Sequence, residues 1–230
     1  MNSELKRQSK RIISVARPSI IAAGVIYLIV VYVLGSLASG ILGQNVTESG
    51  AQAYMNYYMA GDFEKALDAA SSFMPSGKAV VINFVIEMMT VVLSAGFTIF
   101  LMNSVRGTGA EFANLLDGFG LFLKIIGLNL IVGLLAGILS IFLIVPGVIV
   151  ALAYSQTLYI MVDHPEQPLF VSMAQSRAMM KGHKWEYFCL ILSFIGWYIL
   201  ALIPFARIWT EPYIGTTQVL YYERIKESLT

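Results

Sequence analysis

Five polar side chains recur at helical spacing inside an otherwise apolar stretch: Asn83, Glu87, Thr90, Ser94 and Thr98. The intervals of four, three, four and four place all five on one face of a helix. A carboxylate among apolar residues is costly in lipid, so such a group faces a bundle interior, a wet cavity or a hydrogen-bonding partner. Asn129, Tyr154 and Gln156, in later apolar stretches, are the polar groups available to meet Glu87. Two chemistries follow. The face lines a cavity that binds a ligand or passes protons, or the carboxyl is hydrogen-bonded and orients helices. Reaction chemistry has less to work with. The sequence holds no H-E-x-x-H, G-x-S-x-G, P-loop or C-x-x-C pattern, which argues against a membrane enzyme. His164 and His183 have no clear third ligand, so no metal site and no cofactor is expected. Cys189 sits in an apolar stretch and reads as a small buried hydrophobe.

A second group is basic. Arg177, Lys181 and Lys184 close a hydrophilic stretch in which Pro168 and Gly182 bracket a helix. Leu169, Met173 and Met180 fall on one side of it, Arg177 and Lys181 on another. Such a helix can lie in the membrane interface and meet anionic headgroups.

These residues must be positioned by helices in a bilayer. Hydrophobic residues make up 57% of the chain and charged ones 13%, about half the charge of a soluble domain. No ionised side chain occurs from Pro18 to Thr47 or from Ile125 to Val162. The first run suits one span of about 20 residues. The second is too long for one and contains Pro146-Gly147, so it reads as a helical hairpin that turns at that pair. Within the hairpin, Gly133 and Gly137 are expected to pack against a neighbouring helix. The expected spans are Ser19–Leu42, Ala79–Val105, Ile125–Val145, Gly147–Val162 and Tyr187–Ala206, with Ile208–Tyr222 as a short sixth. The fold class is therefore all-α: a polytopic membrane bundle of six segments with amphipathic interfacial helices. A basic segment, residues 1–18, precedes a single transmembrane domain, residues 19–230.

Lys and Arg are retained on the cytoplasmic side. With six segments and an internal N-terminus, 12 of the 15 basic residues fall inside and 3 outside, which puts both termini in the cytoplasm and residues 43–78 outside. The net charge of +1 gives no reason to expect nucleic acid.

From the hairpin onward a specific pattern stands out: Val145-Pro146-Gly147-Val148-Ile149-Val150, Ala153-Tyr154-Ser155, Asp163-His164-Pro165, Ser176-Arg177-Ala178-Met179-Met180-Lys181-Gly182, Phe188, Leu192-Ser193-Phe194-Ile195-Gly196-Trp197, Pro212-Tyr213 and Tyr221-Tyr222. This stretch resembles the bacterial integral membrane family known as domain of unknown function 975, itself similar to the membrane domain attached to some glycerophosphodiester phosphodiesterases. The resemblance implies a bacterial cytoplasmic membrane and six helices with a short last one. It carries no functional residues over. The function expected is non-enzymatic: binding of lipid or amphiphile, or modulation of a membrane-protein partner. The runner-up is a small transporter or lipid-moving protein using the face around Glu87.

Overall fold

In the computed structural model residues 2–42, 48–73, 77–142 and 144–229 are described. All regular elements among them are helical: α1 Asn2–Val15, α2 Ile20–Leu42, α3 Glu48–Met59, α4 Phe63–Phe73, α5 Gly77–Arg106, α6 Asn114–Asp117, α7 Phe122–Phe142, α8 Ile144–Tyr154, α9 Thr157–Asp163, α10 Leu169–Met179, α11 Lys184–Leu192, α12 Ile195–Leu200 and α13 Arg207–Leu229, with 3-10 turns at Gly118–Leu121 and Pro204–Ala206. Four stretches, Ile20–Leu37, Gly77–Arg106, Asn114–Ser140 and Val145–Asp163, are long and apolar enough to cross a membrane. The fifth and sixth expected segments do not meet that standard. Their chain is broken at Ser193-Phe194 and again at 201–203, and α13 carries Arg207, Glu211, Glu223, Arg224, Lys226 and Glu227.

The chain divides into two compact units, residues 30–90 and residues 1–29 with 91–230. In the smaller, α3 and α4 form a helical hairpin. Gly61 ends α3 with φ +76°, a conformation that glycine adopts without a Cβ penalty. Asp62 then caps α4, accepting from the Lys65 N–H at 3.3 Å and pairing with its ammonium at 2.8 Å. Tyr58 links the arms, stacking on Tyr54 and meeting the edge of Phe63.

The larger unit is built around α13, whose Tyr213, Thr216, Thr217, Val219, Tyr221, Tyr222 and Ile225 are buried. Its threonines cause no polar deficit, because Thr216 and Thr217 donate to the carbonyls of Pro212 and Tyr213 one turn back, at 2.7 and 2.8 Å. The arm α11–α12 runs antiparallel to α13. Tyr187 pairs with Tyr221 at 4.9 Å, and Phe194 and Trp197 both meet Tyr213, at 5.5 and 4.9 Å. Beyond that contact the arm is apolar and exposed at Ile195, Ile199, Leu202, Ile203 and Phe205.

The basic segment at residues 1–18 also belongs to this unit. Leu5 and Ser9 are buried, and Ser9 donates to Tyr213 O at 3.2 Å. Lys6 donates to Ser193 O at 2.8 Å and lies 4.2 Å over the Phe194 ring. Desolvation there, with Lys10 nearby, holds the Lys6 ammonium below its ordinary value. Arg7, Lys10 and Arg11 face outward.

Close backbone approach sets the remaining packing. A Cβ on Gly96 would lie 2.0 Å from Leu115 O, and one on Gly118 2.2 Å from Val92 O, so α5 and the α6 turn meet through two glycines. Similarly, Gly147 of α8 sits where a Cβ would meet Ser140 Oγ and the Ala136 carbonyl of α7. The hairpin therefore packs through Gly147, whereas Gly133 and Gly137 are exposed with nothing near a Cβ. Nor does the chain turn at Pro146-Gly147. Pro146 lies in the first turn of α8, where its missing N–H costs nothing.

Candidate functional site

The continuous span expected from Gly147 to Val162 is two helices. α8 ends at Tyr154 and α9 begins at Thr157. Ser176 of α10 serves the backbone groups released there: its hydroxyl donates to Ala153 O at 2.9 Å and accepts from the Gln156 N–H at 3.2 Å. This explains the burial of α10. Ser172, Met173, Ser176 and Met179 face inward, while Arg177 and Lys181 are exposed with no acidic partner among the described residues.

At the far end of α9, Asp163 carries its charge at a helix C-terminus, where the dipole opposes it. Three groups compensate. Arg106 Nη1 is 2.6 Å from Oδ1, and Tyr222 OH and Lys226 Nζ donate to Oδ2 at 2.6 and 2.7 Å. Arg106 Nε also donates to Glu223 Oε1 at 2.6 Å, so two cations and two carboxylates balance. The cluster locks the ends of α5 and α9 to α13. Lys124, at the start of α7, donates to the carbonyls of Pro165 and Gln167 and so fixes the loop that leaves Asp163.

The polar stripe divides between the two units, with Asn83, Glu87 and Thr90 in the smaller and Ser94 and Thr98 in the larger. Asn83 and Glu87, in the smaller unit, are exposed, with no hydrogen bond or ion pair among the described residues. The N-terminal half of α5 is exposed on several sides, through Val80, Val81, Phe84 and Val85. Thr90, Ser94 and Thr98 donate to Ile86 O, Val91 O and Ser94 O, and Asn129 to Ile125 O. Each hydroxyl spends its proton, and Asn129 one of its two amide protons, on its own helix. Tyr154 is half-buried. Gln156 is fully buried, donates to Ser155 Oγ at 2.9 Å, and leaves Oε1 without a partner among the described residues.

Two cavities carry more. An open apolar groove of about 530 Å³ lies along α8 and α11, lined by Val145, Val148, Ile149, Leu152, Trp185 and Phe188, with Lys184 the sole charged group in its wall among the described residues. Lys184 makes no ion pair among the described residues. A smaller cavity of about 130 Å³ is lined by Ser94 and Thr98 of the stripe together with Tyr27, Tyr159, Glu211 and Gln218. Glu211, Gln218 and the Asp163 cluster were not singled out by sequence reading. A single acidic residue in a short apolar tail was the available signal for Glu211, and the Asp163 partners read as ordinary loop charges.

Helices of this length and apolarity, glycine-mediated packing and ion pairs confined to helix ends describe a helical membrane protein. Residues 134–228 match the family described as "protein of unknown function (DUF975)", which supports the resemblance drawn from Val145 to Tyr222. No curated protein and no solved structure matches the chain.

Proposed function

We propose that this protein is a non-enzymatic membrane protein that binds an anionic lipid or similar amphiphile in the α8–α11 groove. The observation that carries the reading is the groove's composition: an apolar wall open to the side, with one unpaired ammonium, Lys184, beside the amphipathic ring of Trp185. An acyl chain fits the wall formed by Val145, Val148, Ile149, Leu152 and Phe188, and an anionic headgroup fits Lys184. Trp185, 72% exposed, suits the headgroup level. Exposed Arg177 and Lys181 extend the basic surface. The likeness of this region to the membrane domain attached to some glycerophosphodiester phosphodiesterases belongs to the same proposal, as does a multi-pass setting in a bacterial cytoplasmic membrane. In that setting α11–α12 and α13 supply the fifth and sixth membrane segments as a short hairpin, with both termini cytoplasmic.

Native mass spectrometry of the protein from nanodiscs containing equal phosphatidylglycerol and phosphatidylcholine tests the reading. Preferential retention of phosphatidylglycerol is expected. Lys184→Gln should cut it about fivefold, from about 1 kcal/mol per basic residue near such a surface. Val148→Trp, which fills the groove, should displace both lipids. Equal retention of the two lipids by the unmodified protein, or no change in either variant, overturns the proposal.

A further inference from the structure

The smaller cavity lies apart from the lipid groove and has a different chemistry. Four helices meet there: Tyr27 comes from α2, Ser94 and Thr98 from α5, Tyr159 from α9, and Glu211, Gly215 and Gln218 from α13. The α13 residues are spaced four and three apart and so share a face. Gly215 lets that face close on α5, since a Cβ there would fall 2.6 Å from Leu101 Cδ1. Ser94 and Thr98 precede Arg106, the last residue of α5, by about 18 and 12 Å at 1.5 Å per residue. For a hydrocarbon core about 30 Å thick, the cavity is then near mid-bilayer.

Its wall combines acceptor oxygens from α5 and α13 with the phenols of Tyr27 and Tyr159, which can donate or accept. Ser94 and Thr98 spend their hydroxyl protons on Val91 O and Ser94 O, at 2.7 and 2.9 Å, so only lone pairs remain for the cavity. Arg207 places both Nε and Nη2 on Glu211 Oε1, at 3.3 and 2.9 Å, and Oε2 has no partner among the described residues. Gln218 makes no hydrogen bond among the described residues, which leaves its carbonyl oxygen able to turn inward. The volume of about 130 Å³ equals roughly four water molecules at about 30 Å³ each.

From these observations we infer that the cavity lined by Ser94, Thr98, Glu211 and Gln218 is a binding site for a small monovalent cation of the alkali or ammonium class. The Glu211 carboxylate disfavours an anion, and the phenols and the Gln218 amide can each turn an oxygen toward a cation. Hard oxygen donors, with no cluster of three His, Cys, Asp or Glu among the described residues, do not suit a thiophilic or transition metal. One carboxylate already paired with Arg207 leaves too little negative charge for a divalent ion, which draws on several carboxylates. The stacked Tyr27 and Phe97 rings, 5.1 Å apart, add polarizable walls suited to a cation.

The test uses the full chain in nanodiscs, with choline chloride replaced at constant ionic strength by lithium, sodium, potassium or ammonium chloride. The thermal unfolding midpoint is read along each titration. A saturable rise is expected for at least one small cation and none for choline, and selectivity among the four salts separates an alkali site from an ammonium site. Ser94→Ala and Gln218→Leu should each raise the half-saturating concentration about tenfold, a loss of about 1.4 kcal/mol, and Glu211→Gln should abolish the response. Should Glu211→Gln fail to fold, the other two variants decide. A response equal to that in choline, or a saturable response unchanged in Ser94→Ala and Gln218→Leu, overturns the inference. Where potassium gives the response, so does a high-resolution map of the rubidium-soaked protein with only water density in the cavity. The lipid measurement on Lys184 is unaffected by either outcome.

Discussion

Replacing Asp163 with Asn tests whether the ion cluster at the end of α9 holds the larger unit together. The side chain keeps its shape but loses its charge, and an acceptor oxygen becomes an N–H₂ facing cations. The carboxylate is 5% exposed and takes contacts from Arg106, Tyr222 and Lys226. Hydrogen bonds to charged groups contribute about 1.5–3 kcal/mol each. The full sum is not lost, because Arg106 and Lys226 are 26% and 41% exposed and recover hydration, and Arg106 keeps Glu223. Removing one partner from a buried pair costs about 3–5 kcal/mol, and partial exposure puts this case at about 3 kcal/mol, the lower end. Equilibrium unfolding in mixed micelles, followed by tryptophan fluorescence, reads this directly. Tyr222→Phe, which deletes only the phenol donor, should cost about half as much. An Asp163→Asn and Arg106→Gln cycle should show coupling of about 1–2 kcal/mol. If Asp163→Asn unfolds within about 0.5 kcal/mol of the unmodified protein, or the two substitutions simply add, the cluster is not a clamp and this reasoning fails.

Two further outcomes follow from packing and orientation. Gly96→Ala should destabilise by more than about 2 kcal/mol, because its Cβ meets the Leu115 carbonyl at 2.0 Å and neither backbone can move freely. Gly133→Ala has open space at its Cβ and should be neutral or stabilising by up to about 1 kcal/mol; the same unfolding measurement distinguishes them, and equal effects would contradict the close approach. For orientation, single cysteines at Glu64, Glu166 and Ser228, all exposed positions, in a Cys189→Ser background should react with an impermeant thiol reagent in intact cells only at position 64. Labelling at 228 would place the C-terminal helix on the other side and remove the sixth segment.

The membrane character of this chain was legible because it rests on local pattern: runs without ionised residues at 18–47 and 125–162 have few places to go but helices in lipid. The bracketing of α10 by Pro168 and Gly182 was local in the same way, and the helix forms at Leu169–Met179. The role of its buried Ser176 was not legible, since that hydroxyl satisfies a break in another helix twenty residues away. Hydropathy also gave no hint that α13 is a helix of 23 residues at the centre of the larger unit. Transfer scales report whether a surface can face acyl chains, and a helix enclosed by other helices is exempt from that demand, so its threonines and charges said little about its place. Glu87 and Glu211 show the same limit from opposite sides. Helical spacing gave Glu87 company on one face, yet the structure leaves it exposed. Glu211 had only Gln218, seven residues on along its own helix, and gained Ser94 and Thr98 when α5, distant in the chain, came against α13. Sequence by itself determined which segments prefer lipid, because that preference is summed residue by residue. Which polar groups share a cavity, and which charges pair across 117 positions as Arg106 and Glu223 do, was decided by tertiary structure, because such contacts depend on close approach of backbones that no local pattern encodes.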